Sequence, residues 1–513
     1  MNNLKRWMWL IFRRRLFVCF ILLVQIAVII ILPTSSIRTF KYVHTGLTGV
    51  SIIVCLYILN KKEKPAYKLT WIFLILLFPI FGGLIYIVIH SQTDSKKRIR
   101  LMNASDERAK AFYRLCGDRL PEIHAACPDH EKQARYLQER AGFPLFTHTQ
   151  AAYFSSGEAF FARMFTELEK AEKYIFIEFF ILSPGDILDR TIDILERKAA
   201  SGVDVRLMYD DIGSIMTLPV DYKHRLEVKG IKCIVFNPFK PILSSQQNNR
   251  DHRKIVCIDG KTAFTGGVNL ADEYVNVKTR FGHWKDAGVM LEGEGAWALT
   301  LIFLQMWNLF HAAQDNLELF FPWEFDECPT PSDGFVQPYA DSPYDTENVG
   351  EHVYIQIINN AERYVYINTP YLVVDENLLS ALCLAAKSGV DVRIITPHRW
   401  DKWFMAVVSR SYYSELISAG VRVYEYSDGF NHSKSFVSDD IVAAVGTTNL
   451  DFRSLYLHFE CGVWMCRSSA VASVREDFLD TLPHCREITL PDCHRSAAQR
   501  VFQDLLRVFA PLM

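Results

Sequence analysis

"NNRDHRKIVCIDGKTAFTGGVNL" runs from Asn248 to Leu270 and holds a His, a Lys two residues on, an Asp five residues later, and a Gly-rich turn closing on an Asn. His252 and Lys254 sit at i and i+2, so on an extended strand both point to one side, while Arg253 points to the other. A second stretch repeats the pattern: "HSKSFVSDDIVAAVGTTNL" runs from His432 to Leu450. His252, Lys254 and Asp259 match His432, Lys434 and Asp439, and Gly266, Gly267 and Asn269 match Gly446, Thr447 and Asn449.

The repeat extends upstream. "KYIFIEFFIL" (173–182) resembles "RYVYINTPYL" (363–372), "KAASGVDVRLMYD" (198–210) resembles "AAKSGVDVRIITP" (385–397), and "GIKCIVF" (230–236) resembles "GVRVYEY" (420–426). The offsets are 187 to 190 residues, too long a period for a solenoid, so a whole domain is duplicated. Each copy reads as strand, helix, strand, helix, strand. The first strand is a near-continuous apolar run, as for a strand buried on both faces. Ile192, Ile194 and Leu195 mark a helix that Gly202 ends. This predicts an α/β protein of two duplicated domains packed about a pseudo-twofold, over residues 101–335 and 336–513. The motif offset is only 180, which places about ten extra residues in the polar loop 237–250 of the first copy. The Pro- and Asp-rich segment Pro322 to Asp345 reads as the loop joining the copies.

A pseudo-twofold brings two His, two Lys and two Asn around one cavity. Lysines and amides suit the non-bridging oxygens of a phosphodiester, with Asn269 and Asn449 as phosphate-binding groups. Two imidazoles suit its cleavage, one as nucleophile and one as general acid. Each needs a group to fix its tautomer. The carboxylates that follow the motifs are Asp286, 34 residues after His252, and Glu460, 28 residues after His432. No CxxC or zinc-type Cys/His spacing occurs, so no metal is expected. The formal net charge is −2, with no global basic field for nucleic acid. The twelve cysteines are scattered; Cys116 with Cys127, and Cys485 with Cys493, are near enough in sequence to pair.

Residues 1–100 read as a membrane anchor. Three apolar runs, at 16–32, 42–59 and 69–89, each approach the length of a crossing helix. Pro79, Gly82 and Gly83 could instead turn the third back on itself. With three crossings and the amino terminus inside, nine Lys and Arg fall inside and six outside, which favours an extracytoplasmic catalytic domain. The last segment, Arg500 to Met513, is amphipathic, with Val501, Phe502, Leu505, Leu506 and Phe509 on one side; it packs on the protein or lies in the membrane interface.

The paired HxKxxxxD motifs, with "TPYL", "NLDFRSLYLHFE" and "KPAYKLTWIFLILLFPIFGGLIYI", resemble the phospholipase D superfamily and, within it, the bacterial cardiolipin synthases. The resemblance covers nearly the whole chain. It implies transfer of a phosphatidyl group between two phosphatidylglycerol molecules, releasing glycerol, at the expense of neither metal nor cofactor. Its partners would be phosphatidylglycerol and membrane lipids, not nucleic acid. It implies catalysis by His252, Lys254, Asp259, His432, Lys434 and Asp439, with His252 as nucleophile and His432 as general acid. The two motif Asp residues look structural, and Asp286 and Glu460 look like the groups that orient the imidazoles. Thr447 stands where the family has Ser, and His458 where it often has Asn, which bears on substrate choice or pH response.

Overall fold

The computed structural model describes residues 37–78, 82–83, 86–87, 89, 94–113, 117–240, 245–310, 315–323 and 328–512. The first expected crossing (16–32), Cys116 and part of the polar loop before His252 lie outside them.

The first copy contributes β1 (Thr149–Phe154), β2 (Tyr174–Phe179), β3 (Asp204–Asp210), β4 (Lys232–Phe236), β5 (Ile255–Ile258), β6 (Thr262–Gly266), β7 (His283–Lys285) and β8 (Gly288–Gly293). The second contributes β9 (Phe335–Asp341), β10 (Tyr364–Asn368), β11 (Asp391–Pro397), β12 (Arg422–Tyr426), β13 (Gly429–Asn431), β14 (Ser435–Ser438), β15 (Val442–Gly446), β16 (Glu460–Cys466) and β17 (Cys485–Ile488). The sheets run β1-β8-β6-β5-β2-β3-β4 and β17-β12-β11-β10-β14-β15-β16-β9. In each, the three strands read from the repeats pair in parallel, while the His/Lys motif leads into an antiparallel hairpin. Every residue of β2 and β10 is buried, as their near-continuous apolar runs require, with Glu178 and Asn368 the polar members.

One apolar cluster draws on both sheets, joining Phe176, Ile255 and Val289 to Ile395, Val445 and Val463. The helix Glu294–Phe310 runs through it, apolar on all sides and buried for most of its length, including Trp307. The segment expected as a linker loop holds β9. Its Pro338 lies on the sheet's edge strand, where a missing N–H costs no ladder bond, and this is why the sequence there reads as a loop.

The amino-terminal part departs from the expectation of three crossings. Among the described residues no helix is long and apolar enough to cross a membrane. The second expected crossing lies in the helix Ile37–Asn60, which opens with Arg38 and Lys41 and carries His44 and a run of Thr, Gly and Ser within the crossing itself. The third is broken: its helix, Pro65–Leu77, stops, and Tyr86 then packs on Trp71 with ring centroids 5.2 Å apart. Fifteen residues of straight helix would separate these positions by about 22 Å, so the chain reverses. Gly82 permits the reversal, because a Cβ there would lie 2.7 Å from the Leu74 carbonyl oxygen.

Helix Pro65–Leu77 docks on the second domain. Lys64 Nζ meets Glu351 Oε2 at 2.6 Å, Thr70 Oγ1 donates to the Val508 carbonyl at 2.7 Å, and Phe73 packs edge-on to Phe509. The carboxy-terminal helix Ala497–Phe509 thus splits its apolar residues. Leu506 and Phe509 pack on the protein, while Val501, Phe502, Leu505 and Val508 stay exposed beside Trp403. Cys485 and Cys493 are unbridged.

Candidate active site

The two motifs meet where the domains exchange short strand contacts. The His252 N–H donates to the Phe459 carbonyl at 2.9 Å, and the Phe459 N–H donates back to Arg250 at 2.8 Å. On the other side β13 pairs in parallel with β7, and the His432 N–H donates to the Lys285 carbonyl at 2.7 Å. The buried pair Lys285–Asp477, at 2.6 Å, ties the same seam.

This exchange crosses the carboxylates. His252 Nδ1 lies 2.9 and 3.0 Å from the two oxygens of Glu460, and His432 Nδ1 lies 2.7 Å from Asp286 Oδ2. Each domain therefore orients the other's imidazole. Position after the motifs named both carboxylates but not their partners; the inter-domain strand contacts decide the pairing. A carboxylate accepts, so Nδ1 of each ring carries the proton and Nε2 keeps the lone pair. Lys434 Nζ also lies 2.8 Å from His432 Nδ1, but one ring N–H cannot both donate to Asp286 and accept from an ammonium. The charge-assisted bond to Asp286 is the stronger of the two.

Burial and like charge dominate the electrostatics. His252 is held far below the ordinary imidazole range by burial and then by Lys254, Lys434 and His432. Burial and Lys434 bring His432 down to about 4, although Asp286 pulls it up. Burial also lowers Lys254 to about 8 and Lys434 to about 7. Burial raises Asp286, but His432 and Lys434 outweigh it and hold the carboxyl below its usual range. Burial thus loosens the protons of two imidazoles and two lysines, and a bound anion would restore them.

Aromatic rings wall both imidazoles. Phe180 lies 4.9 Å from the His252 ring, and Trp284, Tyr274 and Phe430 lie 5.3, 5.6 and 5.7 Å from His432. None of these four stood out in the sequence; the weak signal was Trp284 two residues before Asp286 and Phe430 two before His432. Thr447 donates to Glu460, so the hydroxyl in the second turn braces the carboxylate behind His252.

Asp259 and Asp439 lie apart from this chemistry. Asp259 accepts three backbone N–H bonds at 2.8 Å, from Glu172, Lys173 and Tyr174. Asp439 accepts three at 2.8 to 2.9 Å, from Glu362, Arg363 and Tyr364. Each anchors the start of the neighbouring central strand from a left-handed backbone, φ 52° and 57°. Both carboxylates are committed to backbone N–H groups and not to the imidazoles, which fits the structural role the resemblance implies for them. Asn269 is partly committed: its Oδ1 accepts from Ile181 N–H at 3.0 Å and its Nδ2 donates to Tyr274 at 2.6 Å, which leaves one N–H. Asn449 Oδ1 is buried and has no hydrogen-bond partner. The fold also gathers His252, His458 and Glu460, whose ligand-capable atoms all lie within 4.8 Å of one another, a grouping that sequence spacing concealed.

Comparison with known proteins agrees with this geometry. A family model described as cardiolipin synthase, PLD-like domain, matches residues 164–283 and 354–482, and one described as phospholipase D-nuclease N-terminal matches 48–89. The chain is 34% identical over 483 residues to a cardiolipin synthase of Geobacillus thermodenitrificans, covering 92% of this chain and 94% of that one. It is 41% identical to an uncharacterized protein of Streptococcus mutans, covering 89% and 99%. The crystal structure of phosphatidylserine synthase from Haemophilus influenzae shares the fold, with a TM-score of 0.57 at 14% identity, over 74% of this chain and 97% of that one. Two PLD-like domains and relatives matched nearly end to end place this chain among the cardiolipin synthases of the phospholipase D superfamily, which are phosphatidyltransferases.

Proposed function

We propose that the protein makes cardiolipin from two phosphatidylglycerol molecules through a phosphohistidine. The crossed pairs His252–Glu460 and His432–Asp286 carry this reading, because they give two imidazoles fixed tautomers and equivalent surroundings. His252 Nε2 attacks phosphorus, and the bond to the headgroup glycerol breaks. With the anionic diester bound, His432 carries a second proton on Nε2 as the imidazolium, and it hands that proton to the departing oxygen. The headgroup hydroxyl of a second phosphatidylglycerol then gives its proton to His432 and attacks phosphorus. The P–N bond breaks, which frees His252 and leaves cardiolipin; the net change is two phosphatidylglycerol to cardiolipin plus glycerol.

Lys254 and Lys434, with the free N–H of Asn269 and the amide of Asn449, hold the phosphate oxygens. The aromatic walls restrict water, which favours the alcohol as acceptor over hydrolysis. Pure phosphatidylglycerol should give cardiolipin and glycerol in equal amounts by mass spectrometry. Phosphatidic acid as the main product would show a hydrolase.

The enzyme is membrane-associated, and we infer that its catalytic domains lie on the cytoplasmic side. Lys64 contacts Glu351 and Asp375 of the second domain, so the Lys-rich segment 61–68 and that domain share one side. Basic segments favour the cytoplasm. The expectation of an external site needed the third segment to cross, and that segment turns back. A single cysteine at exposed Val228 should resist an impermeant maleimide in intact cells and react after lysis; labelling in intact cells would reverse the orientation.

A further inference from the structure

We propose that His252, His458 and Glu460 form an inhibitory site for a borderline transition-metal dication of the zinc class. The three groups converge from both domains. Glu460 lies 2.9 Å from His252 Nδ1 and 3.7 Å from His458 Nδ1, and the two imidazole rings are 5.5 Å apart. His458 is the unusual member. Its side chain is 10% exposed, and neither buried ring nitrogen has a hydrogen-bond partner. Apart from the 3.7 Å approach of Nδ1 to Glu460, this buried imidazole makes no hydrogen bond and recovers little of its lost solvation inside the protein, so the position invites a ligand.

The donor set selects the ion. Two imidazoles and a carboxylate are a zinc set, whereas magnesium and calcium prefer oxygen alone. Bonds of about 2.0–2.1 Å place tetrahedral ligand atoms about 3.3–3.5 Å apart. The observed 2.9 and 3.7 Å bracket that spacing, and the remaining edge lies within 4.8 Å and closes by ring rotation. Both rings are neutral, as metal-binding imidazoles must be: burial brings His458 down to about 3 and holds His252 low as well.

Binding would act through the tautomer. The metal takes the His252 Nδ1 lone pair, so the single ring proton moves to Nε2 and the nucleophilic lone pair is lost. Glu460, the group that fixes the active tautomer, is consumed by the same ion. No bond is made to substrate, and removal of the metal reverses the change. The inhibitory half rests on His252 being the nucleophile; the binding half does not.

Zinc chloride is titrated into metal-free full-length protein in detergent, by calorimetry and X-ray absorption, with phosphatidylglycerol turnover followed in parallel. The expected result is one zinc per chain in a nitrogen and oxygen shell with two imidazoles, loss of turnover, and recovery on adding a chelator. Magnesium should neither bind there nor inhibit. His458→Asn and Glu460→Gln should each weaken binding at least about tenfold, since even outer-shell losses cost about 10–100-fold. His432→Asn should bind zinc as the wild type does. Unchanged binding in His458→Asn, or equal loss in His432→Asn, would overturn the site. Stoichiometric zinc bound through His458 with turnover unaffected would overturn the inhibitory role and the assignment of His252 as nucleophile, while leaving the site itself in place.

Discussion

Exchanging Glu460 for Gln tests the crossed pairing at a single atom. The carboxylate faces His252 Nδ1 with both oxygens, at 2.9 and 3.0 Å, and is braced by the Thr447 hydroxyl. An amide has two ways to sit. With its NH₂ toward His252, two donors collide, the ring proton moves to Nε2 and nucleophilicity is lost; comparable His–carboxylate pairs lose about 10⁴ in rate in this way. With its oxygen toward His252, the NH₂ faces Thr447, whose hydroxyl can turn to the Cys461 carbonyl 3.1 Å away. The tautomer is then kept and only the stabilisation of imidazolium charge is lost, which we set at about 10², or about 3 kcal/mol. The expected loss is therefore about 10²–10⁴, with an unchanged melting temperature. The assay that separates the steps uses a phosphatidyl ester with a nitrophenol leaving group, which needs little acid assistance. Asp286→Asn impairs His432, so release of nitrophenol should be largely restored. Glu460→Gln impairs His252, so it should not. Each carboxylate serving its own copy would reverse the pattern, and that reversal would refute the crossed arrangement.

Asp259→Asn weakens three bonds to backbone N–H groups of 2.8 Å, and should lower stability by about 2–4 kcal/mol in denaturant titration while the folded fraction keeps its turnover. Four buried groups, His252, His432, Lys254 and Lys434, hold their protons less tightly than in the unfolded chain. The unfolded state then binds more protons, so these groups make stability rise with pH, for His432 between about 4 and 6.5 and for Lys434 between about 7 and 10.5. Buried carboxyls such as Asp345 and Asp210 act in the opposite sense, so the test is a difference: the melting temperature of wild type minus that of Lys434→Met should rise from pH 7 to pH 9, and a difference that stays constant or falls would contradict this. An anionic diester restores those protons, so a short-chain phosphatidylglycerol should take up protons on binding at pH 8, seen as calorimetric heats that vary with buffer ionisation enthalpy. Lys285→Met leaves Asp477 buried without its cation and should cost about 3–5 kcal/mol in thermal or denaturant unfolding, loosening the seam that carries His432.

Much of this was legible in the sequence because duplication makes a pattern test itself. His252 and Lys254 gained meaning from His432 and Lys434, and the apolar runs of β2 and β10 fixed the sheet. What stayed hidden depends on contacts between copies. The pairings of His252 with Glu460 and of His432 with Asp286 follow from β7 meeting β13 and from Phe459 meeting the backbone beside His252, and neither contact leaves a trace in spacing. Pro338 concealed β9 because an edge strand tolerates what a central strand does not. The apolar run at 69–89 has the composition of a crossing helix; Gly82, packed against the Leu74 carbonyl, decides that it folds back instead. His458 was visible as a departure, but its idle nitrogens beside His252 were not.

The most direct measurement of the central claim is the site of the covalent intermediate. His432→Asn enzyme, given the nitrophenyl substrate and quenched in the first turnover, should yield a phosphatidyl adduct by peptide mass spectrometry on the segment that holds His252. An adduct on any other residue, or sustained turnover by His252→Ala enzyme, would contradict the account.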